Sequence, residues 1–432
     1  MKYLPLPNKI FIENRKRFSR QMKSGYLAVF NSNDIMPTNA DGHMSFVQNT
    51  DLFYLSGIDQ EESTLLLFPN AKNPEMREIL FLKETNPTIA VWEGHKYTKG
   101  EAFETSGIRT VYWNSQFQQV FHALAGECDG FYLNTNEHPR AVVEVETRDA
   151  RFINWVKKHY PLHKLKRSAP IMADLRCVKS VEEVDIIKEA CRITGLGFRR
   201  TLDFIKPGVK EYEIEAELIH EFIRNRSRGF AYGPIIASGK NACVLHYTQN
   251  NATCKSGEVV LMDVAAEYGN YASDLTRCVP VSGKFSKRQK QVYNAVLKVM
   301  REAVKMLKPG GDLDSYHKAV GEIMTEELIR LKLLTKFQVK NQNPSNPAYK
   351  KYFMHGTSHH LGLDVHDVGS KYKKFEAGMV FTCEPGIYIP RQRLGIRLEN
   401  DILITKKGPV DLMEDIPIEA NEIEAIMADR KK

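Results

Sequence analysis

The sequence predicts an α+β protein, mixed α/β in its first part, built as two domains. Three observations predict it. The chain has 432 residues, more than one hydrophobic core usually organises. Its first 170 or so residues alternate strand-like runs with helical stretches. Its remainder opens on a long helix and continues through helices and hairpin-like strands, a pattern that packs helices on antiparallel sheet.

In the first part, Tyr26 to Phe30, Ser63 to Phe68 and Arg77 to Leu82 read as strands, by β-branched and aromatic enrichment and by alternation. NPEMRE is a turn between the last two. HKLKRSAPIMADLRCVKSVEEVD reads as a boundary: it is basic, contains Pro170, and ends in Ser180-Val-Glu-Glu183, the S-x-x-E pattern of a capping box. We place the domains at 1–173 and 174–432. A helix follows to about Phe204, ended by Lys206-Pro-Gly208, and another covers about Glu211 to Arg226. Val292, Val296, Val299, Ala303 and Leu307 recur at helical spacing before Pro309 and Gly310, and about Leu313 to Leu333 gives a further helix.

Composition excludes several classes. Net charge is +8, but Lys and Arg are dispersed and no basic tract alternates with aromatics, so nucleic acid is not an expected partner. No run approaches the roughly 20 apolar residues of a membrane span, and the start lacks the apolar stretch of a signal peptide. The seven cysteines form no C-x-x-C; reduced thiols in a cytoplasmic protein are expected.

FMHGTSHHLGLDVHDVG, Phe353 to Gly369, holds four of the 13 histidines: His355, His359, His360 and His366. Such density points to metal ligation, proton transfer or both. Carboxylates that such histidines could join lie in two hairpins. In VVLMDVAAEYGNYASDLTRCVPV a turn centred between Tyr268 and Gly269 puts Asp263 directly opposite Asp274. In TCEPGIYIPRQRLGIRLENDILIT a turn at Arg391-Gln392 puts Glu384 opposite Glu399, Ile387 opposite Ile396 and Ile389 opposite Leu394. Like charges directly opposite on a sheet are destabilising. Solvent screening would explain one exposed pair, but the flanks are apolar. Half-buried carboxylates must be paired, protonated or metal-bound. Arg397, on the strand face of Glu399, neutralises only part of the charge. Four carboxylates and one imidazole can hold two divalent cations, with Mn²⁺ favoured by the hard oxygens and Zn²⁺, Co²⁺ or Fe²⁺ as alternatives. His246, in NACVLHYTQNN, is a further candidate.

At these residues the chain resembles the pita-bread metallopeptidases of family M24 and, within them, the aminopeptidase P (Xaa-Pro aminopeptidase) type. LHYTQN, MDVAAEYGNYASDLTR, MHGTSHHLGLDVHD, EPGIYI and GIRLENDILIT carry the resemblance, and SFVQNTDLFYLSGIDQEESTLLLF resembles the amino-terminal domain of that family. It covers nearly the whole chain, most weakly at Tyr112 to Lys166 and Leu334 to Lys350. The resemblance implies a creatinase-like amino-terminal domain serving oligomerisation and substrate access, and a pita-bread catalytic domain. It implies removal of the residue before a proline at position two of a peptide, by attack of a metal-bridging hydroxide. Asp263 would hold one metal, His359 and Glu384 the other, and Asp274 and Glu399 would bridge. Glu384 would be the general base. His366 would donate to the scissile carbonyl, His246 and His355 would border the proline ring, and Arg397 and Tyr388 would support metals and substrate. Asp41 and Trp92 would contact substrate, Trp92 from a neighbouring subunit of a dimer or tetramer. His360 matches no ligand position and reads as structural or pocket wall. Prolidase, restricted to Xaa-Pro dipeptides, shares most of these motifs; a non-catalytic binding protein has no need of two opposed carboxylate pairs; a metal-free creatinase-like hydrolase shares the layout without the carboxylates.

Overall fold

The computed structural model describes residues 2–429 apart from 136 and 139. The chain divides into two compact units, one of residues 5–176 and the other of residues from 177 onward together with Lys2–Leu4.

The amino-terminal unit is a six-stranded mixed sheet. Tyr26–Asn31 lies at its centre, antiparallel to Thr64–Leu67 and parallel to Gly130–Leu133. Glu78–Leu82 pairs antiparallel with Thr64–Leu67, Thr110–Trp113 runs parallel to it, and Lys164–Arg167 closes the other edge in parallel. Both faces of the central strand are buried, as expected where helices cover a sheet. NPEMRE forms a single 3₁₀ turn, Pro74–Met76, with Asn73 as its cap. A core of Phe81, Phe121 and Phe131 takes up Phe117, Phe152 and Trp155 in edge-on and offset rings. Asp149 is buried with its Oδ1 2.8 Å from Asn31 Nδ2.

The second unit begins on the capped helix Val181–Phe204. Ser180 Oγ accepts from the Glu183 N–H while the Glu183 carboxylate accepts from the Ser180 N–H, the two-way cap that satisfies the first orphan donors. Glu211–Arg224, Lys287–Met306 and Leu313–Arg330 are the other long helices. They cover small antiparallel sheets: Ile235–Ser238, Val259–Asp263 and Thr276–Pro280 in one, Val380–Cys383, Asn400–Thr405 and Gly408–Asp411 in another, and the hairpin Gly386–Ile389/Leu394–Arg397. Among the described residues no helix is long and apolar enough to cross a membrane.

Candidate metal centre

The second hairpin keeps the register expected of it. Ile387 pairs with Ile396 and Ile389 with Leu394. The same register pairs Cys383 with Asn400 and Gly386 with Arg397, so Glu384 faces Glu399 where the two ladders meet. The first hairpin does not. Its turn is Gly269-Asn270, both at positive φ, as a two-residue turn matched to strand twist requires. The register moves by two: Asp263 faces Thr276, and Asp274 is its diagonal neighbour on the same face. Tyr232 spans that diagonal, its hydroxyl oxygen 2.7 Å from Asp263 Oδ1 and 2.6 Å from Asp274 Oδ1. A phenol has one hydrogen to donate, so the second short contact calls for a further proton or a cation beside it.

A bridge between Thr276 and Glu399 joins the hairpins. Thr276 Oγ1 donates to Glu399 Oε2 at 2.6 Å and accepts from Arg397 Nε at 3.1 Å. Beneath them the fully buried Arg277 gives its hydrogens to oxygens of Glu399, Thr276, Pro417 and Asn400. Asp401, fully buried, accepts the Asp274 N–H at 3.0 Å.

His359 completes the cluster. Its Nδ1 lies 3.0 Å from the His360 carbonyl and so carries the hydrogen. That leaves the Nε2 lone pair aimed inward, 3.4 Å from Asp274 Oδ2 and 3.9 Å from Glu384 Oε1. A backbone carbonyl fixing the tautomer is the usual support of a metal-binding imidazole. Ligand atoms of Asp274, His359 and Glu399 all lie within 4.8 Å of one another. Burial pushes the Glu384 carboxyl up to about 7, against the pull of His359 and Arg397. Burial and the neighbouring Asp274 hold Glu399 well above the carboxylate range. Burial also raises Asp263, although Arg397 opposes it. Burial lowers His359, but Asp274 and Glu384 outweigh it and the net shift is upward. The residues therefore fit divalent cations: concentrated buried negative charge, oxygen-rich, with one oriented imidazole.

A chain of hydrogen bonds leaves this cluster. Arg397 pairs with Asp263 Oδ2 and donates from Nη1 to the Tyr388 hydroxyl at 3.0 Å. That hydroxyl lies 2.8 Å from His355 Nε2, while His355 Nδ1 lies 2.8 Å from the Gly356 carbonyl. Nδ1 therefore carries the hydrogen and Nε2 accepts from Tyr388. Burial, with Arg397 adding, pulls His355 down to about 3. Arg397 and Tyr388 are 4% and 1% exposed. Their side chains contact Asp263, Thr276 and His355.

His246 and His366 are exposed; the His366 ring stands edge-on to His359, centroids 4.3 Å apart. The loop carrying His246 is shaped by the fully buried Glu211. Its carboxylate accepts from the Ser238 N–H and hydroxyl, the Tyr247 hydroxyl and the Ala252 N–H, at 2.7–2.9 Å. His360 is buried against Phe381, with no partner for Nδ1, and lies off the cluster. Asp41 and Trp92 belong to the amino-terminal unit and are exposed, Trp92 at 87% on Pro87–Glu93. Tyr232, Thr276, Arg277, Asp401 and Glu211 were not foreseen. Only Thr276 left a signal, two residues beyond Asp274 and so on its strand face.

Fold and site define a metal-dependent hydrolase. Comparison with known proteins narrows this. Residues 185–406 match the model of metallopeptidase family M24, and residues 11–132 that of the aminopeptidase P, N-terminal domain. The chain is 32% identical to the Xaa-Pro aminopeptidase of Escherichia coli (strain K12) over 98% of both chains, and 32% identical to that of Haemophilus influenzae, again over 98% of both. The structure of zinc-substituted E. coli aminopeptidase P in complex with product superimposes with a TM-score of 0.88 at 30% identity, covering 99% of this chain and 100% of that one. The chain belongs to metallopeptidase family M24, among its Xaa-Pro aminopeptidases.

Proposed function

We propose that the chain removes the amino-terminal residue from peptides with proline in the second position, using two divalent metal ions held by Asp263, Asp274, His359, Glu384 and Glu399. The observation that supports this most is the gathering of Asp274, Glu384 and Glu399 about the His359 imidazole, with Asp263 tied to Asp274 through the shared Tyr232 hydroxyl. Asp274 and Glu399, innermost and most buried, suit bridging positions. When bound, the two ions supply a water nucleophile of lowered pKa and polarise the scissile carbonyl.

The chain's own groups do the rest. Glu384, with its Oε1 3.9 Å from His359 Nε2 at the edge of the cluster, is the group to take a proton and pass it to the departing prolyl nitrogen. His366, at the exposed rim beside His359, donates to the carbonyl oxygen. Proline has no N–H, so its recognition rests on shape. His355, with both nitrogens engaged and neutral, presents a flat ring rather than a donor, and with His246 forms that wall. Asp41 and Trp92 join the reading as substrate contacts. Manganese is the proposed resident metal, from the predominance of carboxylate oxygens. A cytoplasmic location agrees with seven cysteines, none in a disulfide. A homo-oligomer agrees with exposed Trp92, Val142 and Val145 on the amino-terminal unit.

The test is incubation of the Mn²⁺-loaded protein with an Xaa-Pro dipeptide and an Xaa-Pro-Xaa tripeptide, following free amino acid by mass spectrometry. Release from the tripeptide is expected. Release from the dipeptide alone would make the enzyme a prolidase, and release from neither, with metal bound, would remove proline specificity.

A further inference from the structure

His360 and the charged pair beside it have no part in the chemistry above, yet they are built with care. Lys179 Nζ lies 3.0 Å from Asp367 Oδ2, and both side chains are 1% exposed. Two glycines of the histidine segment make room for this layer. A Cβ at Gly362 would fall 2.1 Å from Asp367 Oδ2 and 2.9 Å from Lys179 Cε, and one at Gly369 would fall 2.4 Å from His360 Nε2. An ion pair removed from water is weak evidence for stability, because desolvation offsets the attraction. Its geometry suggests another use.

One end is fixed to the sheet. The Lys179 N–H donates to the Gly378 carbonyl at 2.9 Å, and the Gly378 N–H donates to Ile404 on the Asn400–Thr405 strand, which follows Glu399 directly. The other end is the loop of the imidazoles. The Asp367 N–H donates to the His360 carbonyl at 2.9 Å, the same oxygen that orients His359 through Nδ1 at 3.0 Å. Asp367 also directly follows His366, whose ring stands on His359. We infer that the Lys179–Asp367 ion pair is a strut that sets His359 and His366 relative to the carboxylates on the sheet, making Lys179 and Asp367 positioning residues of the reaction. This rests on the roles proposed above for His359 and His366.

Displacement of a reacting group by 1 Å can cost about 10²-fold in rate. Removing one partner of a buried pair destabilises strongly, whereas replacing both by apolar groups is often neutral. The full-length Mn²⁺-loaded enzyme is therefore compared as wild type, K179M, D367N and K179M/D367L, reading melting temperature, bound metal, and kcat and KM on an Xaa-Pro-Xaa tripeptide. The expected result is a double variant that melts like wild type but retains a kcat lower by about 10²-fold, with KM within about threefold. D367N, which keeps volume and an acceptor oxygen but leaves the Lys179 charge without its counter-charge, should melt below wild type and, assayed where it is folded, show a smaller loss of kcat. Recovery of kcat together with melting temperature in the double variant, or wild-type kcat in D367N, would overturn the strut and leave the pair a purely structural contact. H366A measured alongside separates the two readings. Wild-type kcat in H366A removes His366 from the pocket, and the strut is then decided by whether the double variant loses metal at the His359 site.

Discussion

Replacing Tyr388 by Phe removes one oxygen from the middle of the chain that joins Asp263 to His355. The hydroxyl accepts from Arg397 Nη1 at 3.0 Å and donates to His355 Nε2 at 2.8 Å. The His355 side chain is 16% exposed, so water can replace the lost donor there. The Arg397 side chain is only 5% exposed, and its Nη1 hydrogen is left without an acceptor. A buried unsatisfied donor costs about 1–3 kcal/mol; a loss of that size in a large domain lowers the melting temperature by roughly 2–10 °C. The ring of His355 keeps two other supports, the Gly356 carbonyl and the edge of Phe353 at 4.9 Å. If the hydroxyl's full contribution is felt in the transition state, kcat/KM falls by about 5- to 150-fold. Y388F should therefore be folded, metal-loaded and impaired, measured by tripeptide turnover at saturating Mn²⁺ beside a thermal melt. A variant within twofold of wild type in kcat/KM and within a degree in melting would show that the chain holds nothing in place.

D274A and E399A should each abolish activity and lower bound metal at both sites, read by elemental analysis after desalting; full activity with one metal retained would contradict the bridging roles. E211Q weakens the carboxylate that gathers the 238–252 loop, so KM should rise several-fold with kcat less affected, because His246 and not the metal cluster moves; an unchanged KM would argue against this. Asp149 is held up to about 7, chiefly by burial, from an ordinary 3.8. The folded state then binds a proton between those values that the unfolded chain lacks, so the group's stabilising effect is present below about 3.8 and falls by at most about 4 kcal/mol as pH rises through 7. D149N should slow hydrogen exchange of the Tyr26–Asn31 amides relative to wild type at pH 8 and not at pH 4; equal exchange at pH 8 would refute it.

The second hairpin was legible to the residue because apolar pairs on both sides of Glu384 and Glu399 fix its register. The first was not, because YGNY admits two adjacent turn centres and only the backbone, with Gly269 and Asn270 both at positive φ, decides between them. The carboxylates still converge, since a shift of two keeps every side chain on its face. The capping box at Ser180 located a helix start to the residue. Tyr232, Asp401 and Glu211 could not be read because their side-chain partners are 27 to 210 positions away in the chain. Lys179 reads as a boundary lysine until the fold brings Asp367 to it.

The site is dry at its acidic floor and wet at its imidazole rim: Asp274 and Glu399 are 5% and 2% exposed, while His246 and His366 face solvent. A substrate seated at that rim, as proposed, would lie over the solvent-facing side of the carboxylates. A peptide lodged at the rim would act as a cork, slowing both chelator stripping and the exchange of one cation for another. The metal the enzyme carries would then depend on its traffic in peptides as well as on the affinity of its ligands.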